Sequence, residues 1–222
     1  MLHVGPLAFD PAESRRVRSP FLAENGWGDE RAIEADLERR DELLAGAGHV
    51  VLWFEHDLFD QLQLLQVLAQ VEPGTTVELV QADDYLGGMD AGQLQALWPT
   101  RAAVDPARAR DAWRGVTEGD LDQDVPGLPH LAAALRRFSE EPERTKRQLL
   151  GPLAEGPRTA LHLFVVNQEQ EDAIFLGDAW AFLFLYELFQ EGQLAPVGGG
   201  SMPLPPPRGD AATFASTMLE AR

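Results

Sequence analysis

Apolar positions in the first third of the chain change spacing twice, and the changes mark out its elements. Over residues 30–45, Ile33, Leu37, Leu43 and Leu44 share one helical face with charges opposite, and Asp29 stands where an N-cap belongs. The spacing predicts a helix there, ended by Gly46 and Gly48. Val50 to Phe54 then runs apolar through β-branched and aromatic residues, the pattern of a strand covered on both faces. Leu58, Leu62, Leu65 and Leu68, with Phe59 and Leu64 beside them, return to helical spacing until Pro73-Gly74 breaks it. Thr75 to Val80 alternates as a second strand. Strand, helix and strand within about thirty residues make a βαβ unit, whose strands pair in parallel.

Further along, Asp90 with Gln93 three residues on has the form of a capping box before Leu94 and Leu97, and Asp105-Pro106 reads as N-cap and first helical position. Val125 to Pro129 leads into an amphipathic helix over 130–138, and Ser139 to Glu143 is a charged linker. Beyond it come Leu149, Leu150 and Leu153, then Ala160 to Val166, then Asp178 to Gln190, and finally an extended stretch, Gln193 to Val197. Helix, helix, helix and strand is the order of a winged-helix module. The expected fold is therefore α/β: a small, mostly parallel sheet flanked by helices over 1–138, a helical winged-helix-like domain over 139–200, and a tail over 201–222.

Composition narrows the chemistry. The 222 residues carry 18 Lys and Arg against 36 Asp and Glu, a net charge of −18, with hydrophobic residues at 45% and no cysteine. Disulfides and thiolate chemistry are excluded, and no run approaches the ~20 apolar residues of a membrane span. Without a charged-then-apolar leader, a cytoplasmic location is expected. Over 139–200 four basic residues face ten acidic ones, which disfavours direct DNA binding. Ala179 to Tyr186 is apolar around its whole circumference and must be covered, either by the α/β domain or by a second copy in a homodimer.

Candidate chemistry sits at Glu55-His56-Asp57-Leu58-Phe59-Asp60-Gln61, just past the carboxyl end of the first strand, where open α/β sheets bind ligands. Alternation points Glu55 and Asp57 the same way and His56 the other. The second strand brings Asp83 and Asp84 past its own end, so Glu55, Asp57, Asp60, Asp83 and Asp84 form a candidate site for Mg2+ or Mn2+. Such an ion suits metal-assisted phosphoester hydrolysis, with His56 and Glu55 in catalytic roles and Arg18 and Gln61 on a small anionic substrate. Against this, Asp57 and Asp60 occupy N-cap and first-turn positions, where a carboxylate serves the helix alone. Arg15, Arg16 and Arg18 either clamp an anion or pair with nearby acids, and the excess of acids favours pairing. The alternative reading is a non-enzymatic regulatory or interaction protein. No G-x-S-x-G, H-E-x-x-H or P-loop occurs, and the glycine runs at Gly87-Gly88 and Gly198 to Gly200 read as turns.

The run Val51-Leu52-Trp53-Phe54-Glu55-His56-Asp57-Leu58-Phe59-Asp60-Gln61-Leu62-Gln63 resembles the signature of a bacterial family, domain-of-unknown-function family 1835. Leu2-His3-Val4-Gly5-Pro6-Leu7, Arg18 with Phe21-Leu22, Tyr85-Leu86-Gly87, Arg101, Trp113, Arg144-Thr145 and Gln148-Leu149-Leu150 agree with it, and Phe175-Leu176-Gly177-Asp178 resembles its second, helical domain. The resemblance implies that Glu55, His56, Asp57, Asp60 and Gln61 form the signature site, without implying a reaction. Members usually open with a strand and a Gly-Asp turn before a Leu-His-Glu-Gly-Pro stretch. This chain opens at that later stretch with Val4 in place of Glu, so either a strand lies upstream of Met1 or the sheet has lost an edge.

Overall fold

The computed structural model of the chain describes residues 2–222, and two compact units are seen: the chain up to Ala23 with Gly28–Ser139, and Glu24–Trp27 with Glu140–Arg222. Helix and strand are mixed, so the chain is α/β. In the first unit, Asp10 starts α1 (Pro11–Glu24): its carboxylate accepts the Glu13 N–H at 2.9 Å, and Pro11 takes the position whose N–H would have no partner. α2 (Glu30–Ala45) starts at Asp29, which accepts from the N–H groups of Arg31 and Ala32. Its apolar face is half covered, and Leu43 is 68% exposed.

β1 (His49–Glu55), α3 (Leu58–Gln70) and β2 (Thr76–Ala82) form the βαβ unit, with the two strands parallel and in register from His49 opposite Thr76 to Glu55 opposite Ala82. Sequence reasoning covered β1 on both faces; the sheet instead runs β1-β2-β3, with the short β3 (Ala102–Ala103) antiparallel to β2. β1 is an edge strand, and only Leu52 within it is buried, whereas Val77, Leu79, Val80 and Ala82 make β2 the covered strand. The apolar run of β1 was misleading because its aromatic members find partial cover on the surface: Trp53 stacks on Trp98 with ring centroids 6.1 Å apart.

α3 is the centre of this unit. Leu62, Leu64, Leu65 and Leu68 are fully covered, each contributing about 1.5–3 kcal/mol through burial. They are enclosed between the sheet, α5 (Pro106–Thr117) with its buried Trp113, and α6 (Leu131–Phe138) with Leu131 and Leu135. α4 (Ala91–Leu97) precedes α5 and opens with the reciprocal capping box of Asp90 and Gln93.

The second unit contains α7 (Glu143–Leu150), β4 (Arg158–Thr159), α8 (Ala160–Gln168), α9 (Asp178–Gln190), β5 (Leu194–Pro196), α10 (Ala211–Ala215) and β6 (Met218–Ala221). Its sheet has the order β4-β6-β5, with β6 antiparallel to both neighbours. Residues 201–222 are therefore not a tail. Phe214 of α10 and Leu219 of β6 are fully buried. The all-apolar α9 finds cover in its own unit: Phe182 meets Phe214 at 4.9 Å and Phe164 at 6.3 Å, and Trp180 stacks on Trp27 at 5.8 Å. Trp180 to Leu185 and Leu188 are buried in the single chain. Among the described residues, no helix is long and apolar enough to cross a membrane.

Candidate functional site at the end of β1

The turn between β1 and α3 consists of His56 and Asp57, and its geometry follows from four polar side chains answering local backbone groups. Asp57 caps α3, its Oδ1 accepting the Asp60 N–H at 2.8 Å. Asp60 turns back, and its Oδ2 accepts the Glu55 N–H at 2.6 Å. Gln61, with no exposed surface, donates Nε2 to the Glu55 carbonyl at 2.7 Å. Glu55 in turn reaches past the end of β2, where its Oε1 accepts the Leu86 N–H at 2.8 Å. The helical role weighed for Asp57 is thus real, whereas the Asp60 carboxylate serves the end of β1, and Glu55, Asp57, Asp60 and Gln61 are drawn together as one cluster.

Burial sets the acidity of the cluster. Asp57 is 7% exposed, and desolvation pushes its carboxyl up from 3.8 to about 6 against the stabilising Asp60 N–H, with the Asp60 and Glu55 carboxylates adding to the rise. The Glu55 and Asp60 carboxyls are also raised, again chiefly by burial. Each of the three commits one oxygen to a backbone N–H. Glu55 Oε2, Asp57 Oδ2 and Asp60 Oδ1 accept from no protein group among the described residues. Beside them, Gln61 Oε1 and His56 Nδ1 are shielded and without hydrogen-bond partners. The His56 ring meets His130 edge to face at 5.7 Å, and His130 Nε2 lies 3.5 Å from Asp83 Oδ1.

His130 was missed because it lies 74 positions after His56 and, in sequence, marked only the start of α6. The proposed metal set does not converge: among the described residues, no three or more His, Asp or Glu side chains are placed to hold an ion. The reason is local. Asp57 and Asp60 are held by backbone amides, the Asp83 side chain is 89% exposed, and Asp84 accepts from the N–H of Tyr85 next to it. The described contacts of Arg18 lie at another place. This arginine is buried in α1, its Nη1 donates to the carbonyls of Val4 and Pro6, and its guanidinium lies 5.1 Å from the Phe21 ring. Arg16 pairs with Glu13, and Arg15 with Asp41, as the excess of acids favoured.

Several of the stretches that carry the family resemblance meet in space. The turn at Gly5, at φ +80°, is clamped by Arg18 and leaves no room for a Cβ, which would run into Phe21. Tyr85-Leu86-Gly87 is the turn that Glu55 holds. Set against protein-family models, curated proteins and solved structures, the chain matches none.

Proposed function

We propose that the carboxyl end of β1 binds a small ligand bearing amino or similar hydrogen-bond donors. The supporting observation is the concentration of uncommitted acceptors around one turn: Glu55 Oε2, Asp57 Oδ2, Asp60 Oδ1 and Gln61 Oε1, with His56 Nδ1 beside them. Of these atoms, Gln61 Oε1 and His56 Nδ1 are buried, and a buried polar atom left unpaired costs about 1–3 kcal/mol, so a ligand that pairs them gains by doing so. The charge of the protein, −18, favours a cationic group. Spread acceptors suit several donors on one organic molecule better than a single ion, which needs converging oxygens. Asp57, titrating near pH 6, and His56 are the groups that would exchange a proton with such a ligand.

The test is a thermal melt with putrescine, against sodium chloride at the same ionic strength. Putrescine raises the melting temperature of the unaltered protein, and Glu55→Gln together with His56→Ala removes that rise. Equal melts with putrescine and salt overturn the reading. A rise confined to magnesium or manganese chloride, lost in the same variant, overturns it in favour of divalent-ion binding.

A second reading concerns the second unit, which we propose is winged-helix-like. Its support is the order helix, strand, helix, helix, strand, strand, interrupted by the five-residue α10 before the last strand, which lies in the middle of the sheet. With six basic residues against thirteen acidic ones and α9 covered, the module would serve protein contacts rather than DNA. Retardation of a mixed-sequence DNA duplex at 100 mM salt would overturn that assignment.

A further inference from the structure

Away from the β1 turn, a partly open cavity of about 100 Å³ lies between α1, α2 and α3, lined by Arg15 and Arg18 of α1, Arg40 of α2, and Gln63 and Gln66 of α3, with Ser14 and three leucines completing the wall. No carboxylate is in its wall. That is unusual placement in a chain whose acids outnumber its bases two to one. Asp41, outside the wall, is shared by two of the arginines: Oδ2 takes Arg15, and Oδ1 takes Arg40 Nη2 at 2.7 Å. Arg40 is further fixed by Gln66 Oε1 at 3.1 Å and Gln70 Oε1 at 3.3 Å, and Gln66 Nε2 reaches Ser14 Oγ at 3.4 Å. Arg18 donates to the carbonyls of Val4 and Pro6. The guanidinium groups are thus held in place before anything binds, which limits the ordering cost that binding would otherwise carry.

We infer that this cavity is a site for a small oxyanion, a phosphate ion or the phosphate group of a small monoester. Three arginines in the wall of one hollow can supply planar, forked donors that match the oxygens of phosphate. The amides of Gln63 and Gln66 and the hydroxyl of Ser14 can add neutral donors. Leu2, Leu22 and Leu37 keep the surroundings apolar, which strengthens charge attraction across short distances. Burial lowers the Arg18 pKa to about 10, and an anion beside it would offset that desolvation. Gln63 makes no protein hydrogen bond among the described residues and is half-buried at the cavity wall, so its amide is available to a ligand.

The experiment uses the full chain and titrates it with inorganic phosphate and, separately, with glycerol 3-phosphate, each by calorimetry and by thermal melt against sodium chloride at matched ionic strength. Both readouts report saturable binding to the unaltered protein. Gln63→Glu places a carboxylate in the wall with almost no change of shape and weakens binding at least tenfold; Arg40→Gln does the same and checks that the effect is not peculiar to α3. Tighter binding of phosphate assigns the free ion, and tighter binding of glycerol 3-phosphate assigns a monoester with its body outside the cavity. Identical effects of phosphate and chloride overturn the site, as does undiminished binding in a folded Gln63→Glu variant. Putrescine binding at the β1 turn is expected to survive both substitutions, so the two sites are tested separately.

Discussion

A single carboxyl group, that of Asp57, joins the stability of the first unit to the chemistry of its site. Its Oδ1 caps α3, a role worth about 0.5–2 kcal/mol. Burial nevertheless raises its pKa from 3.8 to about 6. The folded chain therefore holds this proton more tightly than the unfolded one. The group favours folding below about pH 4, and that contribution is lost as pH rises through 6, leaving a buried anion at neutral pH. The shift corresponds to at most about 3 kcal/mol. Asp57→Asn keeps an N-cap acceptor and removes the titration. Urea unfolding of this variant is expected to show a gain over the unaltered protein of up to about 3 kcal/mol above pH 6, shrinking to nothing near pH 4. Destabilisation of the variant at every pH would mean instead that the ionised form is the one the fold holds. His3, buried and lowered to about 3, acts in the opposite sense, losing stability as pH falls below 6.5. The difference between variant and parent, rather than either curve alone, isolates Asp57.

At the scale of elements, α3 carries both the core and the turn. Leu62 lies one residue after Gln61 and has no exposed surface, so Leu62→Ala is expected to cost about 2–5 kcal/mol, measured by urea unfolding. A cost below 1 kcal/mol would mean that the helix repacks freely. Most of this arrangement was legible: the leucine spacing of α3, the caps at Asp29, Asp57 and Asp105, and the parallel pair are local patterns. α1 was overlooked although Asp10-Pro11 carries the same signature as Asp105-Pro106, because its face is not apolar; Ser14, Arg18 and Ser19 are its buried residues. Asp10→Ala is expected to cost about 1 kcal/mol in the same urea measurement, and no change would remove the cap argument. The edge position of β1 and the approach of His130 to His56 depend on strand order and on segments far apart in sequence, which spacing does not encode. The signature cluster itself was readable, but not its division of labour. Glu55 points to the backbone amide of Leu86 and Asp60 to that of Glu55, and that geometry, not residue type, decides whether a metal ion can be held.

Across the whole molecule, charge is managed by arginine rather than lysine: Lys146 is the single lysine among the eighteen basic residues. Arginine joins ion pairs and also lies against aromatic faces, as Arg101 does over Trp98 at 4.2 Å and Arg114 over Phe9 at 4.5 Å. These contacts offset little of the net charge, since the bases are only half as numerous as the acids. Two opposing effects of salt follow. Screening weakens exposed pairs such as Arg16 with Glu13 and Arg158 with Glu155, and it also relieves repulsion among the surplus carboxylates. With a charge of −18, relief of repulsion dominates. Raising sodium chloride from 10 to 300 mM shortens the screening length from about 30 Å to below about 10 Å, and a stabilisation of order 1–2 kcal/mol raises the melting temperature by several degrees. The rise is expected to shrink at pH 4.5, where protonation removes much of the surplus charge. A melting temperature that falls with salt at pH 7.5 would show that the pairs outweigh the repulsion, and it would place the stabilising electrostatics in the arginine contacts rather than in the release of crowded acids.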